Sequence, residues 1–305
     1  MKRLELLIDI ARKLSQNTRY DADAGIPQDI FVQFFNNAQD SLIKEIINSK
    51  AKFFKKTTTI PVVSGQEIYS YPYDCFVQHI DTLQWSQVAI RQTYYTTLFR
   101  SYVKERVTSQ IGYAFSYIPY EDGFHLNPPL GNGQLILAYT RSVDKLGKRA
   151  GKITSFTNTA GVLSAIAVDS AEQSYDATEI NNQNYLCIVN RDGTVKARNI
   201  GYDSVAAGVF TLSPFTLAST DSLAVGDYIV VGKNTCNVPD FPEVCESYLL
   251  KHAVYEAKYG DSSQWNKEAK ADMVANLAQL MGVFGSMSDD VIEVPITNLD
   301  YLSLI

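Results

Sequence analysis

Apolar residues recur at helical spacing near both ends of the chain. In the N-terminal part they predict a first helix over residues 2–14 and a second that starts at Pro27 and ends near Asn48. In the C-terminal part they predict a third helix that begins near Pro242 and stops at Gly260, and a fourth over residues 265–284. We therefore expect an α+β fold built on a helical bundle, with two long helices at each end of the chain.

The stretch after the second helix is typical of a β-hairpin. Residues 57–63 and 68–71 are rich in β-branched and aromatic side chains, and Ser64-Gly65-Gln66 between them has the composition of a turn. Two such runs joined by a short link that contains glycine predict two strands that pair with each other.

A short mixed region follows the predicted hairpin. Residues 76–85, 113–117 and 135–141 predict strands, and residues 124–126 predict a return strand after a turn. Residues 94–107 predict a helix, because their apolar side chains fall on one side and their charged side chains on the other.

Helical periodicity is lost after Lys145 and returns after Val238. The residues between them alternate short β-prone runs with turn signals, at intervals of roughly ten residues, which is typical of a small sandwich or barrel. The six runs cover residues 153–156, 163–168, 185–189, 195–200, 209–212 and 228–231. We therefore expect an inserted small all-β domain.

These patterns divide the chain into three predicted parts. Residues 1–147 and 236–287 form a helical domain that carries the β-hairpin. Residues 148–235 form the β-rich insert domain, and residues 288–305 form an extended C-terminal arm.

The C-terminal arm is apolar and has no helical stripe. An exposed segment with this much apolar surface would promote aggregation, so we expect it to dock either on its own domain or on a neighbouring chain. The candidate partner-binding residues are Val291, Ile292, Val294, Ile296, Leu299, Tyr301, Leu302, Leu304 and Ile305.

Composition narrows the function classes. The formal net charge of −6 disfavours a general nucleic-acid binder, which normally has a basic excess, but it is compatible with a channel through which DNA slides. The 19 tyrosines suit protein interfaces, because tyrosine combines a large contact area with a polar tip.

Neither the cysteines nor the N-terminus indicates a metal site or a secreted protein. The four cysteines form no C-x-x-C pair and the three histidines are scattered, so we expect reduced thiols and no metal or other cofactor; a disulfide between Cys236 and Cys245 stays open. The N-terminal stretch lacks the features of a signal peptide, and no apolar run reaches the length of a membrane helix. We expect a soluble product of the cytoplasm that contacts no membrane.

The candidate catalytic residues have simpler explanations. Glu243 and Glu246 resemble a glycosidase pair, but acidic residues are also favoured in the first turn of a helix. Asp289 and Asp290 form either a cation site or a solvated turn. His252 lies on the apolar face of the third helix, where a core histidine is more common than a ligand. We expect no enzymatic activity.

One basic cluster stands out in the N-terminal half. Lys50, Lys52, Lys55 and Lys56 interleave with two phenylalanines at the end of the second helix. Cations and aromatic rings together suit contact with nucleic acid, and cations alone also suit the C-terminal end of a helix dipole. The cluster is therefore either DNA-facing or structural.

Several short motifs resemble those of bacteriophage head-to-tail adaptor (connector) proteins. In that family a Q-x-Y-x-L-P-x-D-like stretch closes a hairpin, and here residues 66–74 fit it, with Tyr71 where leucine is usual. A proline-leading loop before an apolar strand and a P-x-x-(Y/F) opening to a helix are also typical, and the sequences FHLNPPL, QLILAYTR and VPDFPEVCESY fit them. The resemblance covers residues 1–147 and 236–285 and omits the insert.

The resemblance implies a structural virion protein at the head-tail junction. Such a protein assembles in the cytoplasm of the host bacterium as a homo-oligomeric ring of twelve subunits beneath the portal. It would link the portal protein to a tail or nozzle protein, and genomic DNA would pass through the lumen during ejection without specific binding. Two alternatives stay open: another tail or baseplate component, and a virion enzyme that degrades the cell wall with the β insert as a binding module.

Overall fold

The computed structural model describes most of the chain. The described residues are 3–15, 26–48, 54–89, 92–100, 108–109, 112–113, 115–121, 123–127, 129–169, 185–216 and 223–287. They fall into two compact units. The first contains the described residues up to Asn48 and those from Asp144 to Ser286, and the second contains the residues from Phe54 to Val143.

The predicted helical bundle is wrong. Strands make up 43% of the structure, so β-structure outweighs the four α-helices of the described residues. The helices are α1 (Leu4–Leu14), α2 (Gln28–Asn48), α3 (Glu246–Tyr259) and α4 (Lys267–Met287). The four helices coincide with the apolar stripes of the sequence. The described residues between α2 and α3 form mostly strands, so the protein consists mainly of β-structure.

The four helices belong to the first unit. Short 3₁₀ helices precede α3 (Glu243–Cys245) and α4 (Ser262–Gln264). Asp261 caps the second of these, because its carboxylate accepts a hydrogen bond from the backbone N–H of Ser263. Among the described residues, no helix combines the length and the apolar character needed to cross a membrane.

A six-stranded closed barrel also lies in the first unit. All its neighbouring strands are antiparallel, in the order β11-β12-β15-β14-β13-β16. The strands are β11 (Arg149–Thr159), β12 (Val162–Val168), β13 (Tyr185–Val189), β14 (Val195–Ala206), β15 (Val209–Thr216) and β16 (Tyr228–Val231). Each of the six β-prone runs of the sequence falls in one of these strands. The barrel lies within residues 148–235, and the boundaries of the three predicted domains stay a prediction.

The barrel closes around an aliphatic and aromatic core. Ile153, Ile188 and Ile229 are fully buried there, and Tyr202 meets Phe210 edge to face at 5.2 Å between ring centroids. A parallel pair of short strands lies in the same unit: β10 (Lys145–Leu146) and β17 (Thr235–Cys236).

The second unit is a seven-stranded sheet in the order β1-β9-β3-β4-β7-β8-β2. All neighbours are antiparallel except β4 and β7. The strands are β1 (Lys55–Val62), β2 (Ile68–Ser70), β3 (Cys75–Ala89), β4 (Gln92–Arg100), β7 (Ser116–Pro119), β8 (Gly123–Asn127) and β9 (Gly133–Arg141). A separate two-stranded ladder joins β5 (Thr108–Ser109) and β6 (Gly112–Tyr113).

The predicted β-hairpin is wrong in its pairing. Both runs are strands, but β1 pairs with β9 and β2 pairs with β8, so the two strands occupy opposite edges of the sheet. The partners lie 71 to 85 positions away in sequence for β1 and about 55 for β2, as in Ile60↔Leu135 and Tyr69↔Phe124. Val62 of β1 and Tyr69 of β2 are buried in the same core cluster as residues of β9 and β8, and local turn composition does not reveal such contacts.

The predicted helix over residues 94–107 is also wrong where the structure describes it. Residues up to Arg100 belong to β4, which pairs with β3 through partners such as Leu83↔Leu98. Its β-branched and aromatic residues suit a strand between two neighbours better than a helix. Residues 101–107 lie outside the described part of the chain, as does the C-terminal arm.

Candidate functional site

The stretch from Gln66 to Asp74 connects the two edges of the seven-stranded sheet. The hydroxyl of Tyr69 accepts a hydrogen bond from the backbone N–H of Val63 at 3.1 Å and donates one to the Val63 carbonyl at 3.3 Å. The ring of Tyr69 is buried and stacks on Phe124 at 5.9 Å. One side chain therefore supplies both core contact and a polar link between β2 and the end of β1.

Asp74 is a second connection in the same stretch. Its buried carboxylate accepts hydrogen bonds from the Tyr139 hydroxyl at 2.8 Å and from the Lys56 ammonium at 2.7 Å. Its carbonyl accepts a bond from the backbone N–H of Ser142 at 2.6 Å. Burial and the hydrogen bond to Asp74 raise the pKa of Tyr139. Asp74 thus joins β1 and β9 to the start of β3.

Three exposed aromatic residues lie at this end of the sheet. Tyr73 is 51% exposed, Phe76 is 39% exposed and Tyr120 is 44% exposed. Tyr73 and Phe76 flank the start of β3, and Tyr120 precedes the turn whose Gly123 pairs with Ser70 at the end of β2. We call these three residues the aromatic patch. Exposed rings of this kind are favoured in protein interfaces.

The structure describes half of the predicted basic cluster. The Lys55 ammonium lies 2.5 Å from the Asp81 carboxylate and 3.0 Å from the Thr140 hydroxyl. The Lys56 ammonium is bound to Asp74 as described above. Both described lysines are therefore engaged by carboxylates of their own sheet. Lys50 and Lys52 lie outside the described residues, as do Asp289, Asp290 and the nine candidate residues of the C-terminal arm.

His252 belongs to a buried polar group between α2 and α3. Its Nδ1 lies 3.8 Å from a carboxylate oxygen of Glu256, one helical turn away, and its ring meets Trp265 edge to face at 4.8 Å. The Asn37 amide of α2 donates to both Glu256 oxygens, at 3.1 and 3.4 Å. The carboxylate is therefore held across the helix–helix contact.

Burial shifts both titrating groups of this pair toward their neutral forms. It lowers the pKa of His252 to about 4 and raises the pKa of Glu256 to about 7. Between these values the pair binds one proton in total and carries no net charge. The location fits the core interpretation of His252 made from the sequence, and it adds a titratable carboxylate that the sequence did not single out.

The remaining candidate groups are the two glutamates and the four cysteines. Glu243 is exposed in the 3₁₀ helix, and Glu246 is the first residue of α3. All four cysteines are free thiols. Burial raises the pKa of Cys75 and of Cys245 to about 12, which keeps these thiols protonated and poorly reactive. Within the described residues, no cluster of three or more His, Cys, Asp or Glu side chains could hold a metal ion.

One group of residues in the first unit was missed by the sequence analysis. Arg3, Lys148 and Arg149 line a common cleft, although the first is far from the other two in sequence. A local signal existed, because Lys145, Lys148, Arg149 and Lys152 fall within eight positions. Only the fold brings the N-terminal arginine to them.

Comparisons with known proteins give no family for this chain. Its sequence matches no protein-family model and no curated protein.

Proposed function

We propose that the protein is a structural head-to-tail adaptor of a tailed bacteriophage. In this role copies of the chain form a ring, with twelve subunits as the expected number, beneath the portal at the head-tail junction of the virion. The ring links the portal protein to a tail or nozzle protein and lets the genome pass. The role is mechanical, and the chain acts through its surfaces.

The connecting role of residues 66–74 is the observation that carries this proposal. The adaptor resemblance rests largely on this stretch, and in the structure its Tyr69 and Asp74 tie together β1, β2, β3 and β9. A motif that holds a sheet together fits a protein whose task is to keep its shape under load. The motif residues are engaged in framework contacts, which supports a structural role for them.

The aromatic patch supports an assembly role. The aromatic patch includes Tyr73 of this same stretch, next to Asp74. Its three rings are exposed at one end of the sheet. Aromatic side chains lose little conformational entropy on association and contribute large contact areas, so they are frequent hot spots of interfaces. We propose that this end of the sheet contacts a neighbouring subunit of the ring.

The acidic net charge supports a channel that does not bind DNA tightly. The chain carries a formal net charge of −6, which repels phosphates on average. Lys55 and Lys56 are already paired with Asp81 and Asp74. Duplex DNA is therefore expected to bind the isolated protein weakly at physiological salt. Tight binding that falls steeply with salt would contradict a passive channel.

The test is assembly of the full chain, alone and with the portal of its phage. Native mass spectrometry gives the subunit number and negative-stain microscopy shows whether a ring sits on the portal. We expect a closed ring on the portal. A triple variant, Tyr73→Ser with Phe76→Ser and Tyr120→Ser, is expected to stay folded by circular dichroism and to lose assembly.

The matched control removes exposed apolar residues from the barrel unit instead. Val209→Ser with Val225→Ser changes side chains that are also exposed, and assembly is expected to persist. If the wild-type protein forms no ring with or without the portal, the adaptor role is wrong. If the ring forms and the triple variant assembles normally, only the assignment of the interface is wrong.

A further inference from the structure

A cleft of about 360 Å³ lies in the first unit, at the start of two helices and one side of the barrel. Arg3, Glu5 and Leu6 line it from the start of α1, and Gln28 lines it from the start of α2. The remaining lining residues come from the barrel side: Lys148, Arg149 and Tyr228. The volume lies near the lower end of the range for small-molecule sites.

The cleft is positively charged in a chain that is acidic overall. Three cationic side chains line it against the single carboxylate of Glu5, whereas the whole chain has a formal net charge of −6. One oxygen of Glu5 already accepts bonds from the Arg149 backbone N–H at 3.2 Å and from the Asn237 amide at 2.7 Å. Those donors satisfy part of the Glu5 carboxylate, but Asp29 pairs with Lys148, so the excess of positive charge rests on the two arginines.

Two of the cations are held in fixed positions. The Lys148 side chain is only 5% exposed, and its ammonium forms an ion pair with Asp29 in the first turn of α2. The Arg149 guanidinium lies 3.9 Å from the ring centroid of Tyr228 and donates to the Arg191 carbonyl at 2.7 Å. Stacking on the ring and the bond to the carbonyl orient the guanidinium. A preorganised cation loses little entropy when an anion binds.

The remaining lining suits a ligand that is anionic at one end and apolar at the other. Leu6 is 45% exposed, and the Tyr228 ring adds a flat surface. The N-terminal ends of α1 and α2 add a partial positive charge that favours the same anion. The side chains supply most of the positive charge of the cleft.

We propose that this cleft binds a small phosphate ester. Arg3 and Arg149 face the phosphate, Lys148 stays paired with Asp29 beside them, and the organic part lies against Leu6 and Tyr228. A phosphate with a five- or six-membered ring fits the volume. Binding at the cleft does not depend on the adaptor role proposed above.

The test is isothermal titration of the full chain with three probes: ribose 5-phosphate, inorganic phosphate and ribose. We expect the ester to bind more tightly than inorganic phosphate, and ribose not to bind. Arg3→Gln removes an exposed cation at the mouth of the cleft without disturbing the core, and it is expected to weaken ester binding about fivefold or more. Leu6→Ser is expected to weaken the ester and leave inorganic phosphate unchanged.

The matched control is Lys152→Gln. Lys152 is an exposed lysine on the same strand as Arg149 but does not line the cleft, so its replacement removes the same charge and is expected to change ester affinity less than about twofold. Absence of ester binding at millimolar concentration would overturn the proposal. Equal weakening of ester binding by Arg3→Gln and Lys152→Gln would also overturn it, since any positive charge on the surface would then attract the ester equally. Equal affinity for ester and inorganic phosphate would overturn the assignment of the organic part.

Discussion

Replacing Glu256 with glutamine is expected to remove a pH-dependent loss of stability from the first unit. The carboxylate is buried between α2 and α3, where it accepts hydrogen bonds from Asn37 and lies 3.8 Å from His252. Glutamine keeps an oxygen that can accept from Asn37 and has no charge to bury. The variant therefore isolates the free energy of ionising this one group in the folded protein.

The sign follows from the direction of the shift. Burial raises the pKa of Glu256 from 4.5 to about 7, so its contribution to stability is fully present below pH 4.5 and is lost as the pH rises through 7. The full loss is about 3 kcal/mol, at 1.36 kcal/mol for each tenfold change in proton affinity. Roughly 2 kcal/mol of it falls between about pH 5.5 and about pH 8.5.

His252 gives the opposite trend. Burial lowers its pKa from 6.5 to about 4, so its contribution is present above pH 6.5 and is lost as the pH falls through 4. The two groups oppose each other in the wild-type protein, and their sum changes little across this range. The informative quantity is therefore the difference in free energy of unfolding between Glu256→Gln and the wild type at each pH.

Urea denaturation followed by tryptophan fluorescence measures this difference. The chain has two tryptophans, and a Trp85→Phe background leaves Trp265, whose ring lies 4.8 Å from His252. The stability of the glutamine variant relative to the wild type is expected to rise by about 2 kcal/mol from pH 5.5 to pH 8.5. The exposed Glu243→Gln is the control and is expected to change stability by less than about 0.5 kcal/mol at either pH. A difference for Glu256→Gln that stays constant with pH would refute the reasoning.

Two further predictions compare matched pairs of variants. Asp74→Asn is expected to destabilise the second unit by about 2 kcal/mol, because the buried hydrogen-bond partners of Asp74 are then poorly satisfied. Asp81→Asn removes a more exposed ion pair and is expected to lower the free energy of unfolding by less than about 1 kcal/mol. Urea titrations monitored at Trp85 measure both, and equal losses would contradict a special role for the buried carboxylate. Gly193→Ala is expected to destabilise the first unit by more than about 2 kcal/mol, since a Cβ there would lie 2.1 Å from a Val238 methyl at a φ of 92°. Gly65→Ala, with a φ of 82° and open space around it, is expected to lose only about 1 kcal/mol, and thermal unfolding that ranks the two glycines the other way would contradict this.

The sequence was most informative about elements that depend on local order. The apolar stripes of α1, α2, α3 and α4 are visible in the sequence, because a helix is defined by contacts three and four positions apart. The six β-prone runs of the barrel were found for a similar reason, since turn residues separate them at short intervals. These predictions needed no knowledge of which element meets which.

The sequence was least informative about pairing. The runs that became β1 and β2 have the composition of a hairpin, and yet they lie at opposite edges of the sheet. Residues such as Ile60 and Leu135 pair because their strands share one face of the sheet. Many distant strands have a similarly apolar face, so the sequence does not identify which two of them pair. Residues 94–100 show the same limit, because β4 owes its conformation to its neighbours β3 and β7.

The candidate functional groups also differ in whether the sequence or only the tertiary structure reveals them. The sequence alone singled out residues 66–74 as a motif, His252 as a core residue and Lys55 and Lys56 as cations. Only the tertiary structure revealed that Tyr69 and Asp74 join distant strands, that Asn37 binds Glu256, and that Arg3 meets Lys148 and Arg149 at one cleft. Spacing along the chain determines what one helix or strand presents on each face. Burial of apolar surface brings elements from distant parts of the chain together, and this decides which polar groups become partners.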